Sequence, residues 1–182
     1  MRVENFAYAP GAWELPPQQD SQSAISDALH AVLGSRTPKP ISRVNMEISG
    51  GCLCKAVRYR ITAAPLVTRV CWCRLCQYVG AGSATVNSCF PSSAIAVTGE
   101  LRDYRSVADS GNVMHRRFCP RCGTHLFTEA EARPHLTFVR CGTLDDRELV
   151  KPAMTQWTSE APTWACIDAA LPRLAGQAPP AA

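Results

Sequence analysis

Three cysteines fall inside the octet VCWCRLCQ at 70–77: Cys71, Cys73 and Cys76. Cys52 and Cys54 lie in GGCLCKAVRY, and Cys119 and Cys122 lie in FCPRCGTHLF. Cys89, Cys141 and Cys166 stand apart. Thiols grouped at such intervals point to metal binding or redox chemistry. A closed zinc site takes four donors. In C-x-x-C a tight turn aims both sulfurs at one point, and Gly123 permits the positive φ with which that turn exits. In C-x-C both side chains leave one face of an extended segment. Neither pair fills four positions, so Cys52 and Cys54 need a second pair, and Cys119 and Cys122 are the natural donors. An ion there is enclosed by protein and structural, and it closes a loop of about 65 residues. The alternative, a C-x-x-C used only as core, fits poorly beside Arg121.

The middle group keeps three thiols of its own. Three protein donors with one open corner are the arrangement of a reactive zinc centre. A corner flanked by thiolates suits another soft donor, an incoming thiolate. Two alternatives stay open. Cys89, Cys141, Cys166 or His115 closes the site and makes it structural, or the trio holds no metal and acts as redox thiols.

Composition narrows the setting. The chain has 182 residues, 46% of them hydrophobic, which suits one globular domain. No apolar run reaches the roughly 20 residues of a membrane span, and the first residues lack the apolar stretch of a secretory signal. The expected location is cytoplasmic, where ten cysteines are reduced and a disulfide framework is disfavoured. The net charge is +4, all of it beyond residue 45. Seven thiolates on two zinc ions bring that region close to neutral, a weak footprint for nucleic acid.

The elements that position these groups read as β. AVRYRI (56–61) alternates Val57, Tyr59 and Ile61 with Arg58 and Arg60, the period of a half-buried strand. GSATVNSCF, AIAVTG, LRDYRS, HLFTEA and LTFVRCGTL are further candidates, with prolines and glycines between them. The fold class expected is mostly β, a small zinc-stapled antiparallel sheet domain over 46–175. Residues 1–45 are proline-rich and free of cysteine; they read as a flexible extension with at most one short helix, in SQSAISDALHAVLG. The Ala/Pro-rich end, 176–182, reads as a frayed tail.

In order along the chain, GGCLCKAVRYR, CWCRLCQ, RFCPRCGTHLF, GTLDD and WTSEAPTW resemble the glutathione-dependent formaldehyde-activating enzyme family, which also includes the centromere protein V domain. The resemblance covers about 47–175. It implies a fold of folded-over antiparallel sheets related to zinc ribbons, the β-tent. It implies a structural zinc on Cys52, Cys54, Cys119 and Cys122, and a catalytic zinc on Cys71, Cys73 and Cys76. The activity it implies is carbon–sulfur lyase chemistry, joining glutathione and formaldehyde into S-hydroxymethylglutathione. Two residues depart from the family pattern. Trp72 stands where a histidine is usual, and Lys55 where a glycine follows the first C-x-C.

On that reading glutathione's sulfur enters the open corner as thiolate and meets formaldehyde beside it. Arg74 and His115–Arg117 are candidates to attract carboxylates, with a solvated surface as the plainer role. Trp157 and Trp164 either wall the pocket or fill core. Asp145 and Asp146 read as caps of a helical turn rather than catalytic acids. Two other classes compete: a non-catalytic zinc-stabilised binding module, and a thiol redox or metal-handling protein that releases zinc on oxidation.

Overall fold

A computed structural model of the chain describes residues 47–108 and 111–179. The expected N-terminal extension and its short helix lie outside the described residues. Within them the protein is mostly β, with ten short strands and one six-residue helix. No helix among them is long and apolar enough to cross a membrane.

Two sheets carry the architecture. The smaller is antiparallel, in the order β1 (Ile48–Gly51), β2 (Arg58–Ile61), β5 (Ile95–Thr98). The larger runs β10 (Met154–Gln156), β3 (Val67–Cys71), β4 (Thr85–Pro91), β9 (Leu136–Arg140), β8 (His125–Ala130), β7 (Val113–Phe118), β6 (Arg102–Val107). It is antiparallel except at one edge, where β10 pairs parallel with β3. The antiparallel expectation is corrected there. The strand periodicity read at 57–61 is present: Val57, Tyr59 and Ile61 are buried, Arg58 is half-buried and Arg60 exposed. β3 and β10 carry no comparable alternation, so only pairing with neighbours defines them.

The core lies between the sheets. Ile48, Val57, Tyr59 and Ile61 from the small sheet meet Phe90, Leu126, Phe127 and Val139 from the large one. The Tyr59 ring meets Phe127 edge-on at 5.2 Å between centroids. Its hydroxyl shares a 2.7 Å hydrogen bond with Thr143 Oγ1, so the buried phenol is satisfied. Gly50 is required here, since a Cβ would sit 2.2 Å from that hydroxyl and 2.5 Å from the Thr143 carbonyl. Asp145 clamps the same corner: Arg58 donates to both its oxygens, and Ser49 Oγ to Oδ2 at 2.6 Å. The cap in this turn belongs to Asp146, which accepts from Glu148 N–H at 3.0 Å.

The chain end differs from the frayed tail expected. Residues 172–179 run beside β10. Thr155 N–H donates to Pro172 O and Leu174 N–H returns to Thr155 O, both at 2.9 Å. Trp157 N–H reaches Gly176 O at 3.0 Å, and Arg69 Nη2 reaches Pro179 O at 2.6 Å. One backbone bond to Gly176 and side-chain bonds from Arg69 to Pro179 O and from Ala178 N–H to Gln156 Oε1 hold 176–179, where composition alone read as loose; 180–182 lie outside the described residues.

Candidate metal centres

All ten cysteines are free. Two groups converge among the described residues, with the sulfurs of each group within 4.8 Å of one another: Cys52, Cys54, Cys119 and Cys122, and separately Cys71, Cys73 and Cys76.

The four-cysteine group joins two turns. One follows β1, where Lys55 N–H closes on Cys52 O at 3.0 Å. The other follows β7, where Gly123 N–H closes on Cys119 O at 2.9 Å and Gly123 takes φ 71°. Cys52 Sγ and Cys54 Sγ are 3.5 Å apart, and Cys54 Sγ and Cys119 Sγ 3.7 Å. A tetrahedron of zinc–sulfur bonds near 2.3 Å has edges of about 3.8 Å, so the donor set fits zinc and is far outside disulfide length. Donors around it favour thiolates. Val57 N–H points at Cys52 Sγ at 3.2 Å. The Thr124 hydroxyl and backbone bring the Cys122 thiol down to about 5. Lys55 takes φ 62°, a left-handed conformation that glycine adopts without strain.

The three-cysteine group is built differently. β3 delivers Cys71 at its last residue. Cys73 is the residue before α1 (Arg74–Val79), and Cys76 lies one turn into it. The group therefore sits on a strand-to-helix junction, not on one extended face. Trp72 N–H pairs with Gln156 O at 3.0 Å, tying the junction to β10. Gln77 Nε2 donates to Trp72 O at 2.7 Å and to Glu160 O at 2.8 Å, which fixes the helix start against the 158–160 turn. Cys71 is 5% exposed and Cys76 9%.

Two arginines distant in sequence stand beside this group. Arg140, on β9 and 9% exposed, approaches Cys76 Sγ with Nη1 at 3.9 Å. The same nitrogen donates to Thr85 Oγ1 at 2.9 Å and to Asn87 Oδ1, and Nη2 to Thr128 Oγ1 at 3.3 Å. Arg116, on β7 and 7% exposed, donates to Ser106 Oγ; burial, then the Arg140 charge, lowers its pKa. No carboxylate pairs with either guanidinium among the described residues. Buried cations need a counter-charge, and thiolates provide it.

The thiols polarise one another. Hydrogen bonds from Cys71 and Cys73, then the Arg140 charge, hold Cys76 well below the usual thiol value. Hydrogen bonds with Cys73, then Cys76, then burial push Cys71 far above it. Three thiolates at this spacing would repel one another, so the group could hold a soft divalent metal ion.

The candidates to close this group lie elsewhere. Cys89 is wholly buried in β4, and Cys141 Sγ contacts Ser88 Oγ at 3.2 Å. Cys166 is exposed, and His115 sits between Asp103 and Glu131. No fourth histidine, cysteine or carboxylate joins the three among the described residues. Arg74 lies over the Tyr78 ring at 4.5 Å, and Trp164 is 69% exposed, so Trp164 is neither core nor wall. The reading of residues 115–117 as solvated fails at Arg116. Sequence reasoning missed Arg140 and Gln77; an arginine ending the apolar run LTFVR was the one signal available for Arg140.

A cavity of about 400 Å³ is lined among others by Thr85, Cys122, Thr124, His125, Arg140 and Gly142, with none of Cys71, Cys73 and Cys76 in its wall. It adjoins the three-cysteine group through Arg140.

The family model of the glutathione-dependent formaldehyde-activating enzyme matches residues 47–160. A crystal structure of a Rhodobacter sphaeroides protein is similar over 57% of this chain and 96% of that one, at 21% identity and a TM-score of 0.45. No curated protein matches the chain.

Proposed function

The chain belongs to the glutathione-dependent formaldehyde-activating enzyme family, and from that premise we propose a zinc-dependent carbon–sulfur lyase-type enzyme that forms or handles S-hydroxymethylglutathione from glutathione and formaldehyde. One observation carries the reading: three thiols converge and no fourth protein ligand joins them among the described residues. In this reading Cys52, Cys54, Cys119 and Cys122 hold a structural zinc, and Cys71, Cys73 and Cys76 hold the catalytic one.

Cys71, Cys73 and Cys76 would hold a zinc ion, which would supply Lewis acidity favouring the thiolate of an incoming thiol. The chain's own residues do the rest. Gln77 holds the strand-to-helix junction, so the three sulfurs keep their spacing. Arg140 and Arg116 offset negative charge that would otherwise repel an arriving anion. The cavity holds thiol and aldehyde together, which raises their effective concentration. The new bond joins sulfur to the carbonyl carbon. The thiol proton departs, and the carbonyl oxygen takes one up, so the product is a neutral hydroxymethyl thioether. Trp72 has no titratable nitrogen, so position 72 holds no proton during this exchange.

The test is metal content with glutathione titration. The parent protein is expected to bind two zinc ions, and after cobalt replacement one of them changes spectrum when glutathione is added. Two bound ions that ignore glutathione would instead support a zinc-stabilised binding module.

A further inference from the structure

We propose that residues 172–179 are a strap that holds the three-cysteine junction in its metal-binding geometry, acting through β10 and the turn at 158–160. The strap lies beyond residues 47–160, the span matched by the family model. The proposal rests on the reading that the trio carries a metal, and it names what positions the trio.

The strap grips two neighbours of the trio. Against β10, Thr155 N–H donates to Pro172 O and Leu174 N–H returns to Thr155 O, both at 2.9 Å. Ala178, 2% exposed, donates its N–H to Gln156 Oε1 at 3.2 Å. Against the turn, Thr158 N–H reaches Leu174 O at 3.1 Å and Ser159 N–H reaches Ala175 O at 3.2 Å. The hydroxyls of Thr158 and Ser159 donate to the same two carbonyls, at 3.0 and 2.6 Å. Trp157 gives its backbone N–H to Gly176 O at 3.0 Å and its indole N–H to Gln177 Oε1 at 3.1 Å.

Both neighbours bond the cysteine junction directly. Gln156 O accepts from the N–H of Trp72, the residue between Cys71 and Cys73, at 3.0 Å. Glu160 O accepts from Nε2 of Gln77, the residue after Cys76, at 2.8 Å, and the same nitrogen donates to Trp72 O at 2.7 Å. The path from strap to cysteine is therefore short on each side: Ala178 to Gln156 to Trp72, and Ala175 to the 158–160 turn to Gln77.

The local structure needs this support. β10 is three residues long and sits at the edge of the large sheet. α1 has six residues and no side-chain bond at its N-cap, too short to persist without tertiary contacts. Trp157 takes φ 59°, a left-handed conformation that a bulky side chain keeps only where its surroundings hold it. The four-cysteine group, in contrast, closes on its own turns, and no hydrogen bond joins 172–179 to either turn among the described residues.

The test uses the full-length, zinc-loaded protein. Ala178→Pro removes the N–H given to Gln156, and Ala178→Gly keeps it. In Ala178→Pro, zinc release from the trio to a chelator is expected to quicken about tenfold with the four-cysteine phase unmoved, while Ala178→Gly matches the parent. Amide exchange at Trp72, read by NMR, is expected to quicken about tenfold in Ala178→Pro, with Lys55 and Gly123 unchanged. Equal acceleration of both zinc phases, or parent-like exchange at Trp72, overturns the strap. Should Ala178→Pro fail to fold, Ser159→Ala removes one exposed hydroxyl donor and is expected to give the same selectivity at about threefold; unchanged exchange at Trp72 in that variant overturns the strap. If exchange at Trp72 quickens while the parent shows a single zinc phase, the strap stands and the two-metal reading falls.

Discussion

The two cysteine groups use the same atom for opposite ends. The four-cysteine group joins turns 65 residues apart, leaves Cys54 exposed, and relies on backbone N–H groups and a threonine for support. The three-cysteine group spans six residues, is largely buried, and has the Arg140 guanidinium against Cys76, with the Arg116 charge also acting on it. Closing a 65-residue loop removes about 4 kcal/mol of unfolded-state entropy, whereas closing the short local loop removes about 2. A metal in the first position therefore does most for folding. In the second it does less, and the low-dielectric, cationic surroundings are suited to handling an anion. In the proposed reading, linkage and charge, more than donor identity, separate a staple from a reactive centre.

The comparison breaks most sharply at Cys122. Cys122→Ser is expected to lower stability by about 4 kcal/mol or prevent folding, read as a shift in the urea midpoint; a parent-like midpoint would remove the staple role. Cys73→Ser is expected to lose one zinc equivalent with a stability loss below about 2 kcal/mol, measured by metal analysis and urea unfolding on the same sample. Arg140→Gln is expected to weaken zinc retention at the trio by about 10–100-fold. Chelator competition should show two separate release phases, with the four-cysteine phase unmoved; equal acceleration of both would erase the electrostatic distinction. Lys55→Gly relieves a left-handed lysine beside the staple and is expected to raise stability by about 1 kcal/mol, visible as a higher urea midpoint.

The smallest effect concerns His115, once a candidate to close the trio. Hydrogen bonds with Asp103, then Glu131, raise its pKa, and Arg105 shares Glu131. A raised folded value gives stability that is fully present below the unfolded pKa near 6.5 and fades as pH rises through the folded one. His115→Asn is thus expected to be less stable than the parent at pH about 5–6.5 and equal to it in mildly alkaline buffer, with zinc content unchanged. Loss of zinc in this variant would place His115 back at a metal.

Several features were legible in the residues alone. C-x-C and C-x-x-C each limit where two sulfurs can point, and four donors are needed, so the grouping into four and three follows from short-range geometry. The alternation at 57–61 and the apolar runs of β8 and β9 follow from the two-residue period of a strand. The Gly123 turn is equally local, since only backbone freedom at one residue is at issue. Asp145 was harder: its partners Arg58 and Ser49 lie far back in the chain.

The amino-acid sequence by itself pointed to the two cysteine groups, the mostly β class and the family, because each depends on residue types at close spacing. Tertiary structure alone decided that Arg140 and Arg116 flank the trio, that a cavity opens beside them, that β10 pairs parallel with β3, and that 176–179 are bonded in place. Those outcomes depend on strands far apart in the chain becoming neighbours, and no local preference encodes which buried charge ends beside which sulfur.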